Sequence, residues 1–555
     1  MIIHDMPYFL EDEDSVNREF RKIPDGSTIV ISGFNISTAP EYLMVELYRS
    51  FRDHGHPKGL FLESDSLPGS PGRGIDLISE QIAKNSDDGF IEGVLVPFLG
   101  WSKNLQKLVA TNAISAYTCS IGSVSHLLRE MSAGRPGLLT TVGLDTFMDP
   151  RNDGPALNDR AREEQKITSE IVRIRGRDFI FLTAPKPTVG FIRGTTADEM
   201  GNISMEKEGI YGSVFTMAQA TKAAPERGKV FCQVERVARF GSINPKAVHV
   251  PGPLIDYVTV APEKYTWQTG SIEFDPRISG GIIPPRARNR TSRITLDARS
   301  VVQRRAAIEI ASRIRKLKRP IIANFGVGIP AEVPAVLDME GVSDLVYSTV
   351  EAGPWGGIPL SGEDFGVSVG PFAIIPLPDQ FNLYEGGMFD LAVLGFMQVG
   401  KNGDVNPSML PGKITGPGGF PSISTGSPFL IFAGMFTAGH ADISVKNGLL
   451  TIAKDGTESK FVNNVYKVLF RGDSAMTHGK EVIFITERAV FRLENGGLVL
   501  TEIAPGVDLQ KDVLEKMEFD PGISDPIGRM SPEIFQPRRM RLSSTVSRVH
   551  NGLFS

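Results

Sequence analysis

Between Val346 and Glu363 the chain reads VYSTVEAGPWGGIPLSGE, and there Glu351 stands beside Gly353, Gly356 and Gly357. A carboxylate that is ionised at neutral pH can attack a thioester carbonyl without a general base or a metal. Glycines nearby let backbone N–H groups come close to the oxyanion that such an attack creates. The same residues also describe a strand that ends in a glycine-rich turn carrying a surface glutamate, so the segment alone leaves both readings open.

A second candidate lies just upstream, in NFGVGIPAEV (324–333). Gly326 and Gly328 fall at a strand-to-helix turn, and Pro330 suits the first turn of the helix that follows. Open N–H groups at a helix start bind phosphate, including the pyrophosphate of coenzyme A. As G-x-G-x-x-A the loop also matches a dinucleotide fingerprint weakly, and a tight packing turn is the commoner meaning of such a loop.

Other patterns lead away from chemistry. GVSVG (366–370) has the form of a nucleophile elbow, but PFAIIPLPDQ follows it, and three prolines do not fit the helix that an elbow requires. The eight histidines show no ligand spacing, so no metal is expected. The basic run SRIRKLKRP (312–320) reads as a solvated helix C-terminus, where cations suit the helix dipole, with a contact to a CoA phosphate as the alternative.

These segments need elements to hold them. From Asp25 the sequence DGSTIVISGFNISTAPEYLMVELYRSF gives an apolar run, a glycine-bearing loop and a stretch of helical period. RPIIANFGVGIPAEVPAVL repeats that pattern from Arg319, and PTVGFIRGTTADEMGNISME (187–206) resembles DLAVLGFMQVGKNGDVNPSM (390–409). The chain therefore reads as duplicated: an N-terminal half over 1–270, a connector over 271–293 rich in Gly, Pro and Arg, and a C-terminal half over 294–555 that carries Glu351. Strands alternating with helices predict an α/β fold with largely parallel sheets covered by helices on both faces. Denser strand signals between Lys454 and Ala504 predict antiparallel pairing there.

A chain of 555 residues with 41% apolar and 22% charged side chains has the composition of a globular protein with a large core, enough for three or four domain-sized units. The net charge of −5 gives no basic field to hold nucleic acid. Two cysteines, Cys119 and Cys232, make no disulfide framework and fit a reducing cytosol. The acidic start MIIHDMPYFLEDEDSVNREF does not read as a secretion signal, and no apolar run is long enough to span a membrane, so a soluble cytoplasmic protein is expected.

With these residues in view, EAGPWGGIP (351–359) is similar to the E-x-G-x-x-G-G-x-P segment of family I coenzyme A transferases, specifically the single-chain bacterial acetate or propionate type. The resemblance runs on through VGLDTFMDPR (142–151), IRGTTADEMGNISMEKE (192–208), QVERVARFGSINPKAVHVPG (233–252), QFNLYEGG (380–387), GPGGFPSIS (416–424) and ITERAVFRLENGGLVLTEIAPGVD (485–508), covering nearly the whole chain in order.

The resemblance implies two fused α/β halves, with Glu351 as the nucleophile that becomes a glutamyl-CoA thioester. It implies a CoA site that includes Gly326, Val327, Gly328, Ile329 and Pro330, with Gly418 and Gly419 close to the thioester. Gly356, Gly357, Trp355 and Ile121 are the expected oxyanion and acyl-pocket residues, although Trp355 could equally be a core residue that faces away. CoA enters as substrate beside a carboxylic acid, with no permanently bound cofactor, no metal and a homo-oligomer, dimer or tetramer, in short-chain acyl-CoA metabolism.

The sequence departs from the family at three places. TCSIG (118–122) puts Ile121 where a glutamine is usual, GLDTF (143–147) puts Asp145 where a glycine is usual, and GGMFD (386–390) replaces G-G-G-L-D. A thioester hydrolase using the same intermediate and a non-catalytic CoA-binding paralogue remain as alternatives, with an NAD-dependent oxidoreductase more remote.

Overall fold

The computed structural model describes residues 6–283, 296–494 and 496–553. Eight strands of the first half form one sheet: β1 (Tyr8–Leu10), β2 (Thr28–Ile31), β3 (Leu60–Glu63), β4 (Ile91–Leu95), β5 (Ser115–Tyr117), β6 (Val189–Arg193), β7 (Lys229–Val234) and β8 (Tyr257–Val260). They pair in the order β1-β8-β7-β6-β2-β3-β4-β5, and every pairing is parallel. A strand covered on both faces must be apolar throughout, and the TIVI of β2 is buried at all four positions. Helix α1 (Glu41–His54) follows β2 and stops at Gly55, whose φ of 68° ends it in the left-handed conformation. Helix α2 (Ile121–Ser132) follows β5.

The second half begins with helix α3 (Ala298–Leu317), where the Asp297 side chain caps the N-terminus by accepting from the Ser300 N–H. Its strands are β9 (Ile321–Phe325), β10 (Val346–Thr349), β11 (Pro354–Trp355), β12 (Ala373–Ile374), β13 (Leu391–Leu394), β14 (Phe429–Ala433), β15 (Glu481–Ile485), β16 (Ala489–Glu494), β17 (Gly497–Ile503) and β18 (Gly522–Arg529). The order is β12-β11-β10-β9-β13-β14-β15-β16-β17-β18. The centre from β10 to β15 is parallel, while β15, β16 and β17 pair antiparallel, in the region where the sequence concentrates its strand signals. Helices α4 (Ile329–Met339), α5 (Leu377–Glu385) and α6 (Phe420–Gly426) join these strands.

The internal repeat is visible in three dimensions. Each sheet has an inner strand, β2 or β9, whose neighbours on the two sides come later in the chain: β3 and β6 in one sheet, β10 and β13 in the other. After β6, Thr196 and Ala197 pair antiparallel with Ser204 and Ile203; after β13, Gln398 and Val399 pair in the same way with Asn406 and Val405. The segment 271–283 is anchored at two points: Ile278 is fully buried, and Ser271 Oγ donates to Asp364 at 2.7 Å. The remaining connector residues, 284–293, lie outside the described residues.

The two sheets face each other with loops from the carboxyl ends of their strands. Asn35 Nδ2 donates to the Phe365 carbonyl at 3.1 Å, the Gly418 N–H to Pro97 at 2.9 Å, and the Ile121 N–H to Gly418 at 3.0 Å. In open α/β sheets, ligands bind in the crevice outside these carboxyl ends, beside the strand where the order reverses. Here two such edges are pressed together, and the site lies between them.

Candidate active site

Glu351 comes two residues after the end of β10 and is only 8% exposed. Gly419, at the N-cap of α6, stands directly over its carboxylate, and the nearby Gly419 N–H favours the charged form. A Cβ at 419 would lie 2.7 Å from Glu351 Oε2 and 3.0 Å from Phe381 Cζ, so a larger residue would displace the carboxylate. Burial pushes the Glu351 carboxyl up to about 7, against the opposing pull of the Gly419 N–H. Burial thus works against the full ionisation at neutral pH that the sequence leads one to expect.

Behind Glu351 runs a buried polar set that sequence reasoning did not single out. Asn324, the last but one residue of β9, donates through Nδ2 to Tyr384 Oη at 3.0 Å, and Tyr384 Oη donates to Thr349 Oγ1 at 3.0 Å. Thr349 in turn donates to the Ala323 carbonyl at 3.2 Å. These bonds lock the ends of β9 and β10 and helix α5 together, which fixes where the chain leaves β10 toward Glu351. Burial raises the Tyr384 phenol, and the nearby Glu351 charge adds to the effect. One signal was available: a lone asparagine closing the apolar run IIANF has to find partners inside.

A second buried chain crosses between the halves. Ser120 Oγ, at the N-cap of α2, meets Ser422 Oγ at 2.6 Å; Ser422 donates to Glu385 Oε1 at 2.7 Å; and the other oxygen of Glu385 lies 3.5 Å from His126 Nε2. Burial pushes Glu385 up to about 7 and, aided by the Arg129 charge, His126 down to about 4. Gly122 is packed against this chain, and a Cβ there would collide with Glu385 Oε1 and stand 2.5 Å from Ser422 Oγ.

The remaining expected residues divide into groups. Gly326 donates its N–H to the Val393 carbonyl at 2.9 Å, and Gly328 takes a φ of 86° as N-cap of α4, with Ile329 and Pro330 opening the helix. Val327 is exposed on this loop. Gly418 and Gly419 lie against Ile121 and Glu351 respectively.

Ile121 is buried at the start of α2. Neither neighbouring hydroxyl is free to replace the missing glutamine, since Ser120 is engaged by Ser422 and Thr118 Oγ1 donates to the Val96 carbonyl at 2.9 Å. Trp355 is half-buried, its edge toward Phe372, and donates through Nε1 to Gln380 Oε1 at 2.7 Å.

Of Gly356 and Gly357, the first differs from expectation as an oxyanion donor. Both hold left-handed φ values, 72° and 70°, in the turn after β11. The Gly356 N–H is already given to the Ser348 carbonyl at 2.7 Å, so it is not available to an oxyanion. A Cβ at either position would strike Phe372 or the backbone at Val369 and Gly370, so the pair serves the turn's packing.

The basic run ends α3 at the opposite, amino edge of the sheet. There Arg313 and Lys316 meet Glu481, which opens β15, and Arg319 meets Asp390, just ahead of β13. Ser368 is fully buried in a two-stranded hairpin with Pro359, not at the head of a helix. Cys119 and Cys232 are buried free thiols, the former pushed up to about 12 by burial.

Loops at the carboxyl ends of two α/β sheets thus enclose a buried carboxylate, Glu351, beneath a glycine backbone. The coenzyme A transferase profile matches residues 14–261. The chain is 35% identical to the caffeate CoA-transferase of Acetobacterium woodii over 530 residues, 94% of this chain and 97% of that protein. It is 34% identical to the acetate CoA-transferase YdiF of Escherichia coli K12 over 515 residues, 92% and 93% of the two chains. The crystal structure of the E. coli O157:H7 acyl-CoA transferase YdiF as a thioester complex with CoA superposes with a TM-score of 0.86 at 32% identity, covering 97% of this chain and 98% of that one. The protein belongs to the coenzyme A transferase family. It is an enzyme that transfers CoA, and none of its described helices is long and apolar enough to cross a membrane.

Proposed function

We propose that the protein moves CoA between an acyl-CoA and a free carboxylic acid by a ping-pong route through glutamyl-CoA at Glu351. The Glu351 carboxylate attacks the acyl-CoA carbonyl and expels CoA thiolate, leaving an acyl-glutamyl anhydride. The thiolate attacks the glutamyl carbonyl, which releases the first acid as its carboxylate and leaves the glutamyl thioester. A second carboxylate reverses both steps and departs as the new acyl-CoA. Each step exchanges one acyl bond for another, so neither ATP nor a resident cofactor is needed. The protein contributes position and stabilisation of each oxyanion.

The observation that carries this reading is the contact between Glu351 and Gly419, a buried carboxylate beneath a glycine backbone whose neighbour Gly418 accepts from Ile121 of the other half. That burial also favours transfer over the hydrolase reading, because a carboxyl only 8% exposed leaves little room for attacking water. Short or unusual carboxylic acids are the proposed substrates, in a homo-oligomer working in the cytoplasm, with domains bounded at about 270 and 294.

The test is incubation with acetyl-CoA, with and without a carboxylate acceptor, followed by borohydride and peptide mass analysis. New acyl-CoA and a reduced adduct at Glu351 are expected, with exchange abolished in Glu351→Ala. Near-normal turnover by Glu351→Ala would overturn the mechanism, and free thiol released without new acyl-CoA would make the enzyme a hydrolase.

A further inference from the structure

The arrangement around Glu351 occurs a second time, in the other half. Glu351 comes two residues after β10, beneath Gly419, the N-cap of the helix that follows the hairpin after β13. In the N-terminal half Asp65 comes two residues after β3, the strand that corresponds to β10. Ser213 is the N-cap of the helix Val214–Lys222, which follows the hairpin after β6, and its Oγ donates to Asp65 Oδ2. Each N-cap is preceded by a glycine in the left-handed region, Gly418 with φ 57° and Gly212 with φ 54°. The carbonyls of these two glycines cross between the halves. That of Gly418 accepts from the Ile121 N–H, which opens α2, and that of Gly212 from the Leu377 N–H, which opens α5, both at 3.0 Å.

The two copies differ at the carboxyl itself. Position 419 has no side chain, whereas at 213 a hydroxymethyl group takes that place and the acid beneath it is one methylene shorter. An N-cap serine commonly accepts from its own helix; Ser213 does not, and gives its hydroxyl to Asp65 instead. Asp65 is 2% exposed, and burial pushes its carboxyl up to about 6 against the pull of Ser213. The second carboxyl is thus engaged where the first is open. What it holds leads back to Glu351. Ser213 adjoins Gly212, whose carbonyl fixes the first N–H of α5, a helix of nine residues. One turn on, Phe381 Cζ stands 3.0 Å from where a Cβ of Gly419 would be, and Tyr384 Oη donates to Thr349, two residues ahead of Glu351.

We propose that Asp65 is a positioning residue for Glu351: its bond to Ser213 fixes the Gly212 carbonyl, which sets the first turn of α5 against the reacting carboxylate. This rests on Glu351 as the nucleophile. Asp65→Ala leaves the Ser213 hydroxyl without its acceptor, whereas Asp65→Asn keeps an acceptor of the same shape. In Asp65→Ala kcat should fall by about 10-fold or more, since misplacing a reacting group by about 1 Å can cost about 10²-fold. KM for acyl-CoA should stay within about threefold, and Asp65→Asn should retain most of kcat. Ser213→Ala cuts the same bond from the other side, and it carries the test should Asp65→Ala fail to fold.

The double variant should lose no more than the worse single one, because both substitutions break one bond. Borohydride trapping with acyl-CoA should still place the adduct on Glu351 in each variant, formed more slowly. A kcat within twofold of wild type in either folded variant, a loss confined to KM, or equal losses in Asp65→Asn and Asp65→Ala would overturn the proposal. Normal kcat in Asp65→Ala beside an inactive Glu351→Ala would count against the positioning role alone. Near-normal turnover by Glu351→Ala would instead remove the nucleophile on which the proposal rests, and overturn both.

Discussion

Gly419 and Glu351 share one space: a Cβ on the glycine would lie 2.7 Å from Oε2 of the glutamate and 2.8 Å from its carboxyl carbon. The φ of Gly419 is −83°, a value open to any residue, so the requirement for glycine is one of volume and not of backbone strain. Gly419→Ala should therefore fold, losing about 1–3 kcal/mol to overpacking, while kcat falls by about 10²-fold as the carboxylate is displaced. Thermal melts and steady-state kinetics of this variant separate the two effects, and an unchanged kcat would mean that the carboxylate reacts from another position.

The pH profile should report the Glu351 carboxyl. Burial raises it to about 7, so the nucleophilic form is scarce below that pH, and kcat/KM should rise through an apparent pKa near 7. Glu385 ionises in the same range, and its variant Glu385→Gln shows which part of the profile belongs to it.

Stability carries the opposite sign. A carboxyl raised on folding stabilises the native state below the unfolded value near 4.5, and that contribution is lost as pH rises through about 7. Glu351→Gln, which cannot ionise, should gain on the wild type by on the order of 3 kcal/mol above pH 8, and the gain should shrink toward pH 5, as followed by denaturant melts.

Ile121→Gln addresses the departure from the family. The hydroxyls of Ser120 and Thr118 are both bonded elsewhere, so neither compensates for the missing donor. The variant should raise kcat on acetate or propionate, by up to the 10²–10³ that one oxyanion donor contributes, more than it changes KM. An acyl-chain series is the measurement; a kcat within about twofold for every acid would mean that a backbone donor already fills the role.

Trp355 and Gln380 form a testable pair. Trp355→Phe removes the donor to Gln380 Oε1, and Gln380 Nε2 already lacks a partner, so a loss of about 1–3 kcal/mol is expected. Combining it with Gln380→Met should recover part of that loss in a double-mutant cycle; additive losses would show that the bond contributes nothing. Trp355→Ala, assayed across the same acids, should shift kcat/KM toward bulkier ones if the indole borders the acyl pocket.

The sequence speaks clearly where a signal is local. The apolar runs of β2 and β9, the glycine loop at 326–328 and the glutamate in its glycine-rich segment each announce themselves within a dozen residues. What glycine motifs conceal is the use of their N–H groups: Gly356 looks like an oxyanion donor until its bond to Ser348 is seen. Asp65 and Ser213 lie 148 positions apart, and no local periodicity brings that hydroxyl to that carboxyl. Ser120 and Ser422 are 302 positions apart, and only the docking of the two sheets brings them to 2.6 Å.

That last separation bears on how the enzyme tolerates dilution. Were the two halves independent polypeptides, the share of complete sites would follow mass action and fall as the protein became scarce. Joined in one chain, they meet at an effective concentration on the order of mM for a short tether, whatever their abundance in the cell. Each ribosome also delivers both in equal number, so no half is made without the other that completes its site.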